Sequence, residues 1–176
     1  SPYDKRQYDL LCLDNGVQVL LCSDPESETS AAAASVAVGA TCDVHPGTAH
    51  LLEHMLFVAS QRYPEEGAYQ EFVSRNAGYT NAYTAGMRTT YYFEIPNAAF
   101  AEALDRFSCF FSCPQFVKDA VDREISAVIS EHSKNMLQDF WILQQLVRST
   151  ASTSTPFNHF ATGNQETLID VPKQKG

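Results

Sequence analysis

Residues 50 to 54 read His-Leu-Leu-Glu-His. On an α-helix the two histidines stand one turn apart and share a face. Two neutral imidazoles so placed can hold one Zn²⁺. Glu53 lies beside His54 and three residues after His50, so its carboxylate overhangs the same position. There it can accept a proton from water that a metal has activated, which is the chemistry of metal-assisted hydrolysis. The order HxxEH is HExxH reversed. Leu51, Leu52, Met55, Leu56 and Phe57 make the segment apolar nearly all round. Two histidines and a glutamate in such a helix are costly unless something satisfies them, and a metal does. A catalytic zinc commonly takes three protein ligands and leaves a fourth position open. Glu124 and Glu131 stand seven residues apart in a later helical stretch and so share a face. Either can supply the third ligand, and the other can then hold a ligand imidazole as a hydrogen-bond acceptor. The alternative for both is a salt bridge or a solvated helix edge.

Several elements must position these groups. Tyr8 to Leu13 and Val17 to Cys22 are β-rich runs around Asp14-Asn15-Gly16, a hairpin signal in which Asn and Gly tolerate positive φ. Ala31 to Ala40 is expected as a short buried strand. Thr48 is expected to cap a helix that runs to about Val58. Tyr69 to Arg75 reads as a short helix stopped by Asn76 to Gly78. Tyr83 to Ile95 reads as one strand, and Ala98 to Phe111 as a helix closed by Pro114. Lys118 to about Ser149 reads as one long helix, with Val121, Ile125, Val128, His132, Met136 and Phe140 on a stripe. The tail from Phe157 to Gly176 is polar and carries no clear element. The order predicts an α+β domain, helices packed on a largely antiparallel sheet.

Composition bounds the rest. The 176 residues suffice for one domain with a real core. A net charge of −9 disfavours nucleic acid, whose phosphates need clustered Lys and Arg. No run is long and apolar enough to cross a bilayer, so no membrane is expected as a partner. The start carries neither a signal peptide nor an initiator Met, and a processed or excised chain is expected. Cys12, Cys22, Cys42, Cys109 and Cys113 are odd in number and follow no metal-binding spacing. Reduced thiols in a cytoplasmic setting are expected, with Cys12 and Cys22 half-buried on strands. His45, His132 and His159 lack ligand-like partners and read as surface or loop residues.

His50-Leu51-Leu52-Glu53-His54-Met55-Leu56-Phe57, followed by Glu131 after 76 intervening residues, resembles the pitrilysin/insulysin (M16, inverzincin) family of zinc peptidases. The resemblance extends over nearly the whole chain. Tyr63-Pro64-Glu65, Tyr91-Tyr92-Phe93 and Ser130 to Asn135 look like its insulysin branch. It implies one Zn²⁺ on His50, His54 and Glu131, with Glu124 supporting the site and Glu53 as general base. It implies a pitrilysin/LuxS-like metallohydrolase fold, and a peptide paired by β-strand addition along Asn81 and Ala82. Tyr83, Phe57 and Trp141 are further candidates for contact with substrate, although packing alone also explains them. The implied activity is hydrolysis of peptides and small polypeptides. Residues 1–176 would then be the N-terminal catalytic domain, incomplete at its C-terminus and working with a C-terminal half of the parent peptidase as partner. The alternatives are a non-catalytic homologue that binds peptides or assembles with a peptidase, and a mitochondrial-processing-type peptidase.

Overall fold

The computed structural model describes residues 3–175. Its elements run β1 (Gln7–Cys12), β2 (Gln18–Ser23), β3 (Thr29–Val36), α1 (Thr48–Leu56), α2 (Ala68–Arg75), β4 (Tyr79–Thr84), β5 (Thr89–Pro96), α3 (Phe100–Ser112), α4 (Lys118–Asn135), α5 (Asp139–Thr150) and α6 (Val171–Lys175). The fold is α+β, and all described strand pairing is antiparallel. The strands form two sheets rather than one. β1 pairs with β2, while β3, β5 and β4 lie side by side in that order.

β5 is central because its alternation is sharpest. Tyr91, Phe93 and Ile95 are buried on one face, as the period of two requires. Tyr69 and Val73 of α2 cover that face together with Ala103, Phe107 and Phe110 of α3. The spacing of the α3 residues keeps them on one helical stripe. Leu56 at the end of α1 joins the same cluster. The core is rich in edge-to-face rings, with Phe93 and Phe107 centroids 5.2 Å apart and Tyr69 and Phe110 at 4.8 Å. This core fixes α1 against the sheet and leaves β4 as a free edge.

The structure corrects several of these expectations. The span from Tyr83 to Ile95 is not one strand but the end of β4, a turn and most of β5; Ala85 N–H donates to the Arg88 carbonyl across that turn. The long helix breaks at Met136 to Gln138, because Met136 and Phe140 are largely exposed and the buried stripe ends above them. The first hairpin forms as expected around Asp14 to Gly16, with Gly16 alone at positive φ (85°). Cys12 and Cys22 are exposed and pair with Gln18 and Tyr8 across the hairpin, not with each other. The tail does carry structure. Asn164 accepts from Thr167 N–H at 2.9 Å while its own N–H donates to Thr167 Oγ1 at 3.1 Å, starting a helical segment that leads into α6. The third strand also ends earlier than expected, and Ala40 to Cys42 form a 3₁₀ turn.

Candidate metal centre

The helix carrying His50 and His54 is held at its start by Asp43 and not by Thr48. Asp43 accepts from the N–H groups of Gly47 and Ala49, both at 3.0 Å, and so supplies acceptors to the first turn of α1. Partial burial raises the Asp43 carboxyl pKa, against the lowering effect of these backbone donors. Thr48 instead donates its hydroxyl to the His45 carbonyl at 2.6 Å. Gly47 has φ 95°, and a Cβ there would lie 2.3 Å from the Gly163 Cα. Only glycine allows the tail to pass this close. That passage matters because it delivers the Thr162 carbonyl to His50.

Both imidazoles are held at Nδ1. His50 Nδ1 lies 2.8 Å from the Thr162 carbonyl oxygen, and His54 Nδ1 lies 3.1 Å from Glu124 Oε2. A carbonyl oxygen only accepts, so Nδ1 of His50 carries the proton and Nε2 is left with its lone pair. The two Nε2 atoms converge on Glu131 Oε2, at 3.5 Å from His50 and 3.6 Å from His54. One ligand atom from each of the three residues lies within 4.8 Å of the others. A tetrahedral zinc with bonds of about 2.0–2.2 Å needs its ligand atoms about 3.3–3.5 Å apart. The donor set of two imidazoles and a carboxylate therefore fits Zn²⁺ in number and type, and the carboxylate stands close to tetrahedral spacing from both imidazoles. The third member of the trio, Glu131, comes from α4, two turns after Glu124 on the same face.

The electrostatics agree with this geometry. Hydrogen bonding to Glu131 raises the His54 pKa, opposed by burial and aided by Glu124. Glu131 is lowered by the same contact with His54, against its own burial. Glu53 faces the site from α1 and accepts from the Thr84 hydroxyl at 2.5 Å. Its carboxylate is thus tied to the end of β4, the free edge strand.

A cleft of about 420 Å³ lies over these groups, lined by His50, Glu53, Ala82, Tyr83, Glu131 and Trp141 among others. A second hollow of about 340 Å³ lies on the other side of Glu53 and Ala82, where Asn81, Phe57, His54 and Glu124 line it. The edge of β4 borders both. The Ala82 N–H is engaged by the Asn81 side chain at 2.9 Å, and by no further strand among the described residues. The Phe57 ring packs 5.0 Å from Phe110 and so belongs mainly to the core cluster. His132, expected as a surface residue, lines the larger cleft and packs its ring 5.1 Å from Phe160. Asp43, Thr84 and Thr162 were not legible from the sequence. A half-buried carbonyl from the tail and a hydroxyl from a neighbouring strand have no local signature, although Asp43 shortly before a helix is a capping signal of the ordinary kind.

The model of the family described as Insulinase (Peptidase family M16) matches residues 18–154. The insulin-degrading enzyme of Homo sapiens is 46% identical over 178 residues, covering 100% of this chain and 18% of that enzyme. The A-factor-processing enzyme of Saccharomyces cerevisiae is 45% identical over 175 residues, covering 98% of this chain and 17% of that protein. Among solved structures, that of pitrilysin superposes with a TM-score of 0.91 at 37% identity, over 98% of this chain and 19% of its own. The chain thus spans less than a fifth of the length of these relatives.

Proposed function

Because the chain belongs to the insulinase family, peptidase family M16, we propose that it is the N-terminal catalytic part of a zinc endopeptidase, with His50, His54 and Glu131 as ligands and Glu53 as general base. The observation that carries this reading is the convergence of two Nε2 atoms on Glu131, each imidazole being held from behind by Thr162 or Glu124. Zn²⁺ held by His50, His54 and Glu131 would supply a water acidified towards a pKa of ~7 and a Lewis acid for the carbonyl oxygen. The residues of the chain do the rest. Glu53 accepts a proton from the attacking water and delivers it to the leaving amine. Thr84 holds the Glu53 carboxylate in place through Oε2, leaving the other oxygen for the proton. Glu124 keeps His54 oriented and raises its basicity as a ligand. The free edge of β4 at Asn81 to Tyr83 takes an extended peptide as an added strand. Trp141 and Phe57 border the hollows on either side and offer apolar contact.

The intact set of ligands and base supports catalysis over a peptide-binding homologue without activity. The 46% identity to insulin-degrading enzymes supports that branch over a mitochondrial-processing type. The substrates and the partner half of the parent protein belong to this proposal. Zinc content and turnover test it together. One zinc per chain is expected, lost or weakened in Glu131→Gln. In the longer protein, Glu53→Gln should keep its zinc and lose hydrolysis by a factor of about 10²–10⁴. Undiminished turnover in that variant would sink the mechanism.

A further inference from the structure

The cleft over the metal centre has a wall, formed by α5, that the chemistry above uses only at Trp141. Trp141, Gln144, Gln145 and Arg148 of α5 all line it. Their spacing of i, i+3, i+4 and i+7 makes them one face of the helix. That face changes along its length from an indole to two amides and then to a guanidinium. Among the described lining residues, Arg148 is the only lysine or arginine. The same cleft carries the carboxylates of Glu53 from α1 and Glu131 from α4. Its lining therefore brings charges of both signs to one hollow.

Arg148 is half-buried and held in place. Its guanidinium lies 5.2 Å from the centre of the Phe157 ring, and Nη1 donates to the His159 carbonyl at 3.4 Å. Neither contact neutralises its charge, and among the described residues no carboxylate forms an ion pair with it. A guanidinium has five N–H donors in a planar fork, and one long bond to a carbonyl leaves most of them free. Stacking fixes the plane of the fork, so less freedom is lost when a carboxylate binds to it. The plain alternative is that Arg148 only ties α5 to the Phe157 loop. That role would use the ring contact and the single carbonyl bond, and would leave the remaining donors idle.

We propose that Arg148 is a specificity residue that selects an acidic side chain in the bound peptide. The proposal rests on the peptidase reading above. Seven residues of helix rise by about 10 Å from Trp141 to Arg148. An extended peptide advances ~3.3 Å per residue, so the acidic position lies about three residues from the one against Trp141.

Trp141 is the only tryptophan of the chain, so its emission reports occupancy of this cleft. The experiment titrates the zinc-loaded chain carrying Glu53→Gln with decapeptides that each hold a single Asp, moved through the positions in turn, against the same peptides with Asn. One position is expected at which Asp binds about tenfold tighter than Asn. Adding Arg148→Gln should abolish that ratio, and Arg148→Lys should keep part of it. Arg148→Glu should transfer the preference to a peptide with Lys at that position. A merely structural arginine would weaken Asp and Asn peptides equally and leave their ratio unchanged. Equal binding of Asp and Asn peptides at every position, or a ratio that survives Arg148→Gln, overturns the role of Arg148 and leaves the peptidase reading standing. No response of Trp141 to any peptide overturns the role of Arg148 as well, while zinc content and turnover in the longer protein still decide the peptidase reading.

Discussion

Asp43 accepts from two N–H groups in the first turn of α1, and His50 projects from that turn. Loss of such a cap costs about 0.5–2 kcal/mol. Asp43→Ala is therefore expected to lower thermal stability by about that amount and to weaken zinc binding, because the first turn that aims His50 frays. Asp43→Asn keeps an acceptor oxygen and should retain most of both. A melting curve and a zinc titration on the two variants check this; identical zinc affinity in Asp43→Ala would mean that the Thr162 carbonyl alone aims the ring. The comparison separates two supports of one ligand, since the backbone carbonyl at Thr162 is unchanged in both variants.

At the scale of elements, the face of β5 and the helices over it bury two phenols that respond to alkali. Burial pushes Tyr69 up to about 12 from an ordinary value of 10.0, with a smaller opposing effect from Thr80. Burial, aided by the charge of Glu53, moves Tyr91 in the same direction. The folded chain then keeps protons that the unfolded chain releases. This contribution to stability is complete below pH 10 and is lost as pH rises towards 12. Denaturant unfolding at a series of pH values should show stability falling over that window. Tyr69→Phe should make the fall shallower, and a slope identical to that of the unmodified chain would show that Tyr69 does not carry it. The same helices hold α1, which carries His50, Glu53 and His54, against the sheet through Leu56. Phe107 fills the space between α3 and β5, and Phe107→Ala should cost about 3–5 kcal/mol, read from the same unfolding curves.

The molecule as a whole leaves two apolar faces open. On the β1–β2 hairpin, Leu10 is 73% exposed and Leu20 is 68% exposed. On α5, Leu143 and Val147 are 58% and 54% exposed, and no residue of that helix is buried. Contiguous apolar surface of this kind is unusual on a protein that works alone. The folded chain is expected to bind an apolar dye such as ANS and to associate as its concentration rises, despite a net charge of −9. Sedimentation velocity checks it. A monomer at every concentration, with no dye bound, would show that these residues pack away in solution.

The sequence by itself determined the candidate site. His50, Glu53 and His54 share one helical turn, so their spacing fixed that they could meet, and the apolar residues around them implied that something must satisfy them. It also determined the α+β class, because the alternation of β5 and the stripe of α3 are local periodicities. Helical spacing alone did not decide between Glu124 and Glu131, which only the family resemblance told apart, since residues two turns apart present equivalent faces until a partner helix is placed against them. The tertiary structure made the difference: α4 crosses α1 so that Glu131 meets both Nε2 atoms while Glu124 meets Nδ1 of His54. It also decided what lies behind His50 and Glu53. The Thr162 carbonyl and the Thr84 hydroxyl come from segments far along the chain, and a contact across such a distance leaves no periodic trace. The break between α4 and α5 belongs to the same class. Helical pattern continues through Met136 to Gln138, and only the end of the packing surface turns the chain and brings Trp141 and Arg148 to the cleft.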